Sequence, residues 1–151
     1  MQVDVRRARE HDQAAITAMV RQARLNPADL RWPRFVVAEH DGRIVGVAQL
    51  RLHPDGACEL ASLAVTPSAR GQGVATKLVD ALLQTQASEV YTLIDRPYVD
   101  HFRRWGFHEV DRAGLPRSVA RVYRIGRAVT AVGSLLTRRT IRIVPLRRTA
   151  T

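Results

Sequence analysis

The sequence predicts an α/β fold in which short strands alternate with amphipathic helices. A hairpin signal at residues 35–50 and a nearly continuous apolar run at residues 58–65 are typical of sheet strands. From Gly71 onward, apolar residues recur every three to four positions, as they do on one face of a helix. The 151 residues are 46% hydrophobic, which is typical of a folded globular protein.

The first half of the chain is predicted to contain a strand, a helix and a hairpin. Residues 3–7 alternate as a strand does, and residues 10–24 carry apolar side chains at helical spacing. The hairpin joins residues 35–39 to residues 44–50. Its turn contains Asp41-Gly42, a dipeptide that accepts the positive backbone angles of a tight turn.

The second half continues the alternation. Pro67 ends the apolar strand at 58–65, and a helix follows from Gly71. Further along, the pattern predicts a strand at 90–94, a short helix at 98–105 ended by Gly106, and a strand at 107–110.

The last segment, residues 112–151, is predicted to add a helix at 117–137 and a strand at 140–146. Arginines 117, 121, 124 and 127 fall near one face of that helix. No repeat or long linker divides the chain, so we expect a single domain over residues 1–151. Residues 1–111 form its core, and the last segment completes the fold.

The charge is confined to that last segment. Residues 1–111 contain 14 basic and 14 acidic side chains, whereas residues 112–151 contain ten arginines and no acid. A one-sided positive field attracts anions without specifying which ones.

The remaining composition favours a cytoplasmic protein. No apolar stretch reaches the ~18 residues of a membrane-spanning helix, and the first residues lack a signal-peptide core. Cys58 is the single cysteine, so no internal disulfide forms. The five histidines show no ligand-like spacing, and we therefore predict no metal site.

The join between the apolar strand and the following helix predicts a phosphate-binding site. Two glycines, Gly71 and Gly73, stand where the helix begins. The first N–H groups of a helix have no intrahelical partner and lie at the positive end of its dipole. Because glycine has no side chain, an anionic group can approach these amides closely, and Thr76 adds a hydroxyl.

Two known phosphate loops do not fit this join. A P-loop needs Gly-Lys-Ser/Thr, and here Val74 follows Gly73; a dinucleotide fingerprint needs a glycine at Thr76. The pattern Arg/Gln-x-x-Gly-x-Gly/Ala is met by Arg70, Gly73 and Ala75 and follows a Leu-x-Val-x-Pro strand. With Trp105-Gly106-Phe107 further on, the chain resembles the GCN5-related N-acetyltransferase (GNAT) superfamily from residue 1 to about 110.

The resemblance implies a mixed, twisted, mostly antiparallel sheet with a V-shaped split, flanked by helices. It implies acetyl-CoA as co-substrate, with pantetheine along the strand end and the pyrophosphate on the helix amides. The residues implied to bind it are Leu63, Ala64, Val65, Arg70, Gly71, Gln72, Gly73, Val74, Ala75, Thr76 and Phe102.

The resemblance also suggests catalytic candidates. Glu59 stands where some members place a carboxylate that takes the amine proton through water; the alternative is an ordinary charged residue at a strand end. An N–H near Leu63 or Ala64 would stabilise the oxyanion. Many members have a tyrosine as general acid where this chain has Phe102. Tyr98, one helical turn earlier, is the candidate for that role, or else a packing or acceptor contact.

A covalent mechanism has less support. Cys58 as an acyl-enzyme nucleophile would need a base, and His53, close in sequence but across a turn, is the one nearby candidate. A buried structural thiol explains Cys58 better.

Three interpretations of the last segment stay open: a closing helix and strand with exposed arginines, a surface for acidic acceptors or the 3′-phosphate of CoA, and a nucleic-acid contact. Scarce aromatic residues argue against the last of these. Apolar residues 128–136 suggest a homodimer contact.

We therefore expect an acyl-CoA-dependent N-acyltransferase in which an amine of unknown identity attacks acetyl-CoA directly in a ternary complex. The alternative is a non-catalytic binding module of the same fold, whose arginine-rich segment contacts acidic partners or nucleic acid. No membrane partner is expected.

Overall fold

The computed structural model describes residues 1–150, which contain seven strands and four α-helices. All the predicted elements are present, with bounds that differ by a few residues. In chain order they are β1 (Asp4–Arg7), α1 (Gln13–Gln22), β2 (Phe35–His40), β3 (Arg43–Leu52), β4 (Cys58–Val65), α2 (Val74–Leu83), β5 (Val90–Asp95), α3 (Val99–Phe102), β6 (Phe107–Glu109), α4 (Arg117–Thr137) and β7 (Ile143–Arg148).

Residues 1–51 and 60–87 form the first of two compact units. Its strands lie in the order β1-β2-β3-β4. β1 pairs antiparallel with β2, and β2 pairs antiparallel with β3. The β2–β3 turn has positive φ at Asp41 and Gly42, as the Asp-Gly signal predicts.

The core of this unit lies between the strands and the two helices. Ile16 and Val20 of α1 are fully buried against apolar side chains of β2 and β3. On α2, Val74 and Leu78 are buried over Gly46 of β3, where an added Cβ would lie 2.9 Å from both side chains. Gly46 therefore allows α2 to pack close to the strands, which fixes where α2 begins.

A partly buried ion-pair network joins β1 to β2 and to the turn before α1. The Arg6 guanidinium donates to Asp12 at 2.8 Å and to Glu39 at 2.8 Å, and Asp12 also accepts from the Arg9 amide at 2.7 Å. Asp12 is 4% exposed, and the hydrogen bond from Arg6 holds its pKa below the usual value of 3.8.

The second unit contains residues 52–59 and 88–150. β7 pairs antiparallel with β5 on one side and β6 on the other. Gly126 of α4 lies over β7, where an added Cβ would come within 3.1 Å of the Ile143 side chain. At the start of α4, Ser118 donates from its amide and hydroxyl to the carboxylate of Asp55, at 3.1 and 2.8 Å.

The outer side of α4 carries an apolar stripe, which we define as Ile125, Val129, Val132 and Leu136. These side chains are 55–80% exposed. Their spacing of four, three and four residues is that of the contact face of a helix pair. The predicted dimer contact at residues 128–136 includes three of these four side chains, and it stays a prediction.

The predicted fold class is confirmed: the protein is a mixed α/β fold whose strands pair mostly antiparallel, with flanking helices. The predicted V-shaped split and the single domain over residues 1–151 stay predictions.

Candidate active site at the start of helix α2

The loop between β4 and α2 is held by hydrogen bonds to the strands. The Thr66 amide donates to the Val45 carbonyl of β3 at 2.9 Å. Pro67–Ala69 form a single 3-10 turn, after which the Arg70 side chain donates from Nε to the Val65 carbonyl at 3.2 Å. The predicted site residue Arg70 therefore ties the end of β4 to the residue before the glycines.

Two glycines with left-handed backbone conformation lie at the start of α2. Gly71 has φ of +74°, and Gly73, the N-cap, has φ of +78°. A Cβ built on either glycine meets no atom within 4 Å. Within residues 1–150, the amides of residues 71–75 donate to no backbone carbonyl. The start of α2 thus presents several N–H groups, at the positive end of the dipole, to open space.

The residues next to these glycines that are implied to bind CoA are Gln72, Val74, Ala75 and Thr76. Gln72 is exposed and donates from its side chain to the Ser68 carbonyl at 3.2 Å. Ala75 and Thr76 are half-buried on the first turn of α2. Val74 is 1% exposed, because its side chain packs over Gly46, so only its backbone is available to a ligand.

β4 contains a distortion that the sequence does not reveal. Ser62 has φ of +57° in the middle of the strand, and its Oγ accepts a hydrogen bond from the buried Gln49 side chain at 2.9 Å. A residue with positive φ departs from the extended backbone of a regular strand, so it changes the local direction of the chain. The distortion immediately precedes Leu63 and Ala64, where the oxyanion donor is predicted.

Glu59 lies in a buried pair with a histidine. The Nε2 of His53 is 2.9 Å from Oε2 of Glu59, and the two side chains are 10% and 4% exposed. His53 follows β3 and Glu59 lies on β4, and the hairpin turn between them brings the two together. The prediction considered His53 only as a base for Cys58. The structure instead pairs it with the candidate carboxylate.

Cys58 is a buried thiol. It is 8% exposed, and burial, followed by the charge of Glu59, raises its pKa above the usual value. Thiolate formation is therefore disfavoured, which agrees with the prediction of a structural cysteine.

The two aromatic candidates lie in opposite environments. Tyr98, at the start of α3, is 58% exposed, so it is not a packed core residue. Phe102, at the end of α3, is 5% exposed and stacks edge-on against Trp105 and Phe107, with ring centroids 5.3 and 5.7 Å apart. Phe102, which stands where many family members have the tyrosine general acid, is therefore part of a buried aromatic cluster.

The comparison with protein families decides the identity of the fold. The model of the acetyltransferase (GNAT) family matches residues 6–111, which include the whole β4–loop–α2 segment. The chain belongs to the GNAT family. Its fold agrees with this family match.

Solved structures with the same fold support this assignment. N-acetylglutamate synthase from Neisseria gonorrhoeae, complexed with coenzyme A and N-acetyl-glutamate, superposes with a TM-score of 0.74 at 22% identity over 100% of this chain. Rv2747 from Mycobacterium tuberculosis, in complex with CoA and NLQ, superposes with a TM-score of 0.72 at 28% identity. The match covers 98% of this chain and 99% of the Rv2747 chain. The ribosomal-protein-S18-alanine N-acetyltransferase from Escherichia coli superposes with a TM-score of 0.67 at 14% identity. The match covers 99% of this chain and 95% of that protein's chain.

The extent of these matches differs. The present chain spans 36% of the length of the Neisseria synthase, but nearly the whole length of the other two proteins. No curated protein matches the sequence.

Residues 1–150 lack two further features. No helix in this part of the chain combines the length and apolar character needed to span a membrane. In the same residues, no group of three or more His, Cys, Asp or Glu side chains could hold a metal ion.

Proposed function

We propose that the protein transfers an acyl group, most simply acetyl, from acyl-CoA to an amine. The observation that carries this proposal is the open start of α2, where the loop from β4 ends in unpaired amides and in two glycines with no neighbouring side chain. This arrangement fits a diphosphate, because unpaired helix-initial amides bind anions and a side chain at either glycine would occupy the approach. A relative 28% identical in sequence, in complex with CoA, adds support for this co-substrate.

In the proposed reaction the nitrogen of a neutral amine attacks the thioester carbonyl. A C–N bond forms, the C–S bond breaks, CoA leaves as a thiolate, and the attacking nitrogen loses one further proton to solvent as it becomes the neutral amide. The amine must first lose a proton, and we assign its acceptance to the buried Glu59–His53 pair, reached through water. The N–H groups after the distortion at Ser62 are the proposed donors to the oxyanion.

The thiolate still needs a proton after it leaves. Tyr98 is the proposed donor, since its exposed hydroxyl makes no hydrogen bond within residues 1–150, whereas Phe102 has no proton to give. If Tyr98 acts as a general acid, Tyr98→Phe lowers kcat about 100-fold or more. An unchanged kcat would mean that the thiolate leaves without help.

The activity is tested by following thiol release from acetyl-CoA across small amines, amino acids, amine antibiotics and peptide N-termini. We expect turnover with at least one class and a fall in kcat of about 100-fold or more in Glu59→Gln. Glu10→Gln, which changes an exposed glutamate elsewhere, is the matched control. CoA binding without turnover on any amine would refute catalysis and favour the non-catalytic module.

A further inference from the structure

A shallow groove beside α4 is lined by three arginines from two different elements. We define the arginine groove as Arg112, Tyr123, Arg124, Arg127 and Ala128, which enclose about 310 Å3. Arg112 lies in the turn before α4, and the other four residues lie on α4 itself. The groove belongs entirely to the second unit and shares no residue with the start of α2.

The three arginines of the groove form no ion pair within residues 1–150. Asp111 stands next to Arg112 in the sequence without forming a salt bridge to it, and residues 112–150 contain no acidic side chain. Guanidinium groups that converge without counter-charges repel one another, and the repulsion is relieved when an anion binds between them. The charge of the groove is thus complementary to an anionic ligand.

One arginine of the groove is restrained by an aromatic ring that also lines it. The guanidinium of Arg127 lies over the ring of Tyr123, 5.8 Å from the ring centroid. Stacking on an aromatic face limits the rotamers of an arginine, so less freedom is lost when it binds. Tyr123 and Ala128 give the groove an uncharged wall beside its three donors.

We propose that the arginine groove binds a small ligand carrying a phosphomonoester or diphosphate group. The planar fork of a guanidinium matches the paired oxygens of a phosphate. Three guanidiniums suit a group of two or more negative charges better than a single carboxylate. The uncharged wall would lie against the remainder of the ligand.

Calorimetric titration with inorganic pyrophosphate at low ionic strength tests the proposal. The start of α2 is a second phosphate site under the proposed function, so the variants must separate the two. Arg124→Gln and Arg127→Gln should each weaken the groove component about tenfold or more, because each removes charge-assisted hydrogen bonds. Gly73→Ala should leave that component intact.

Arg21→Gln is the matched control, since Arg21 is also an exposed helical arginine and lies in the first unit. Equal weakening in Arg21→Gln would show non-specific attraction and overturn the proposal. So would the loss of all binding in Gly73→Ala, which would assign pyrophosphate to α2 alone.

A final experiment measures the binding of a short single-stranded RNA to the same variants and to variants of Arg117 and Arg138. Arg117 and Arg138 lie outside the groove. If the protein binds RNA tightly, and substitution of either one weakens that binding as strongly as substitution of Arg124, the segment is a nucleic-acid surface and the small-ligand site is overturned. Weak RNA binding together with groove-dependent pyrophosphate binding supports the proposal. None of these outcomes depends on acyl transfer, so the groove and the proposed function can fail independently.

Discussion

Replacing Gly73 with alanine separates the backbone role of this glycine from its proposed role in binding. Gly73 has φ of +78° at the N-cap of α2, and left-handed backbone costs a residue with a side chain about 1–2 kcal/mol. The new methyl group meets no protein atom within 4 Å, so no clash adds to that cost. The free energy of unfolding should therefore fall by about 1–2 kcal/mol.

The effect on CoA affinity is expected to be larger. The methyl group would stand beside the amides that hold the diphosphate and displace it from at least one of them. One hydrogen bond to a charged group is worth about 1.5–3 kcal/mol, which corresponds to a rise in Kd of roughly 10- to 150-fold.

Gly42→Ala provides the matched control. Gly42 has φ of +73° in the β2–β3 turn, and an added Cβ there also meets nothing within 4 Å. Both measurements are made on the wild-type protein and the two variants. Urea unfolding should show similar losses of stability in Gly73→Ala and Gly42→Ala, whereas calorimetry should show weakened CoA binding in Gly73→Ala alone. The same Kd in both variants would refute the reasoning.

Three further predictions concern stability, reactivity and association. Asp12→Asn should lower the free energy of unfolding by about 1.5–3 kcal/mol at pH 7, because it weakens the hydrogen bonds from Arg6. Since the pKa of Asp12 is lowered in the folded state, its contribution is present above about pH 4 and is lost as the pH falls through the folded pKa. Urea unfolding should therefore show the full difference between the two proteins at pH 7, and this difference should shrink as the pH is lowered below about 4. Cys58 should react with a disulfide reagent only when the protein unfolds, because it is buried and its pKa is raised; rapid labelling of the native protein would contradict this. The apolar stripe of α4 predicts a dimer in sedimentation that Val132→Asp dissociates without loss of secondary structure; a monomeric wild-type protein would exclude it.

Much of the fold could be predicted because local signals and tertiary packing agree. The Asp41-Gly42 turn defines a hairpin on its own, and α4 begins and ends at the predicted residues 117 and 137. The shift in the start of α2 has a packing reason. The sequence pattern begins at Gly71, but regular helix begins at Val74, where the side chain first packs over Gly46.

The candidate site was only partly predictable. Glycine spacing after an apolar strand is a local signal, so the start of α2 could be found from the sequence. The left-handed backbone of Ser62 could not, because serine occurs in ordinary strands and nothing in its neighbours marks a positive φ. The His53–Glu59 pair had one usable signal: the Pro54-Asp55-Gly56 turn folds two chain segments back on each other, which brings residues on either side of it close together.

The central claim is that the amides at the start of α2 hold the diphosphate of CoA. Backbone amide chemical shifts recorded by NMR while CoA is added test it most directly. We predict that the largest shifts fall on residues 71–76, and that pantetheine, which lacks the diphosphate, leaves those amides unchanged. Shifts of equal size with pantetheine, or CoA-induced shifts confined to other parts of the chain, would contradict the claim.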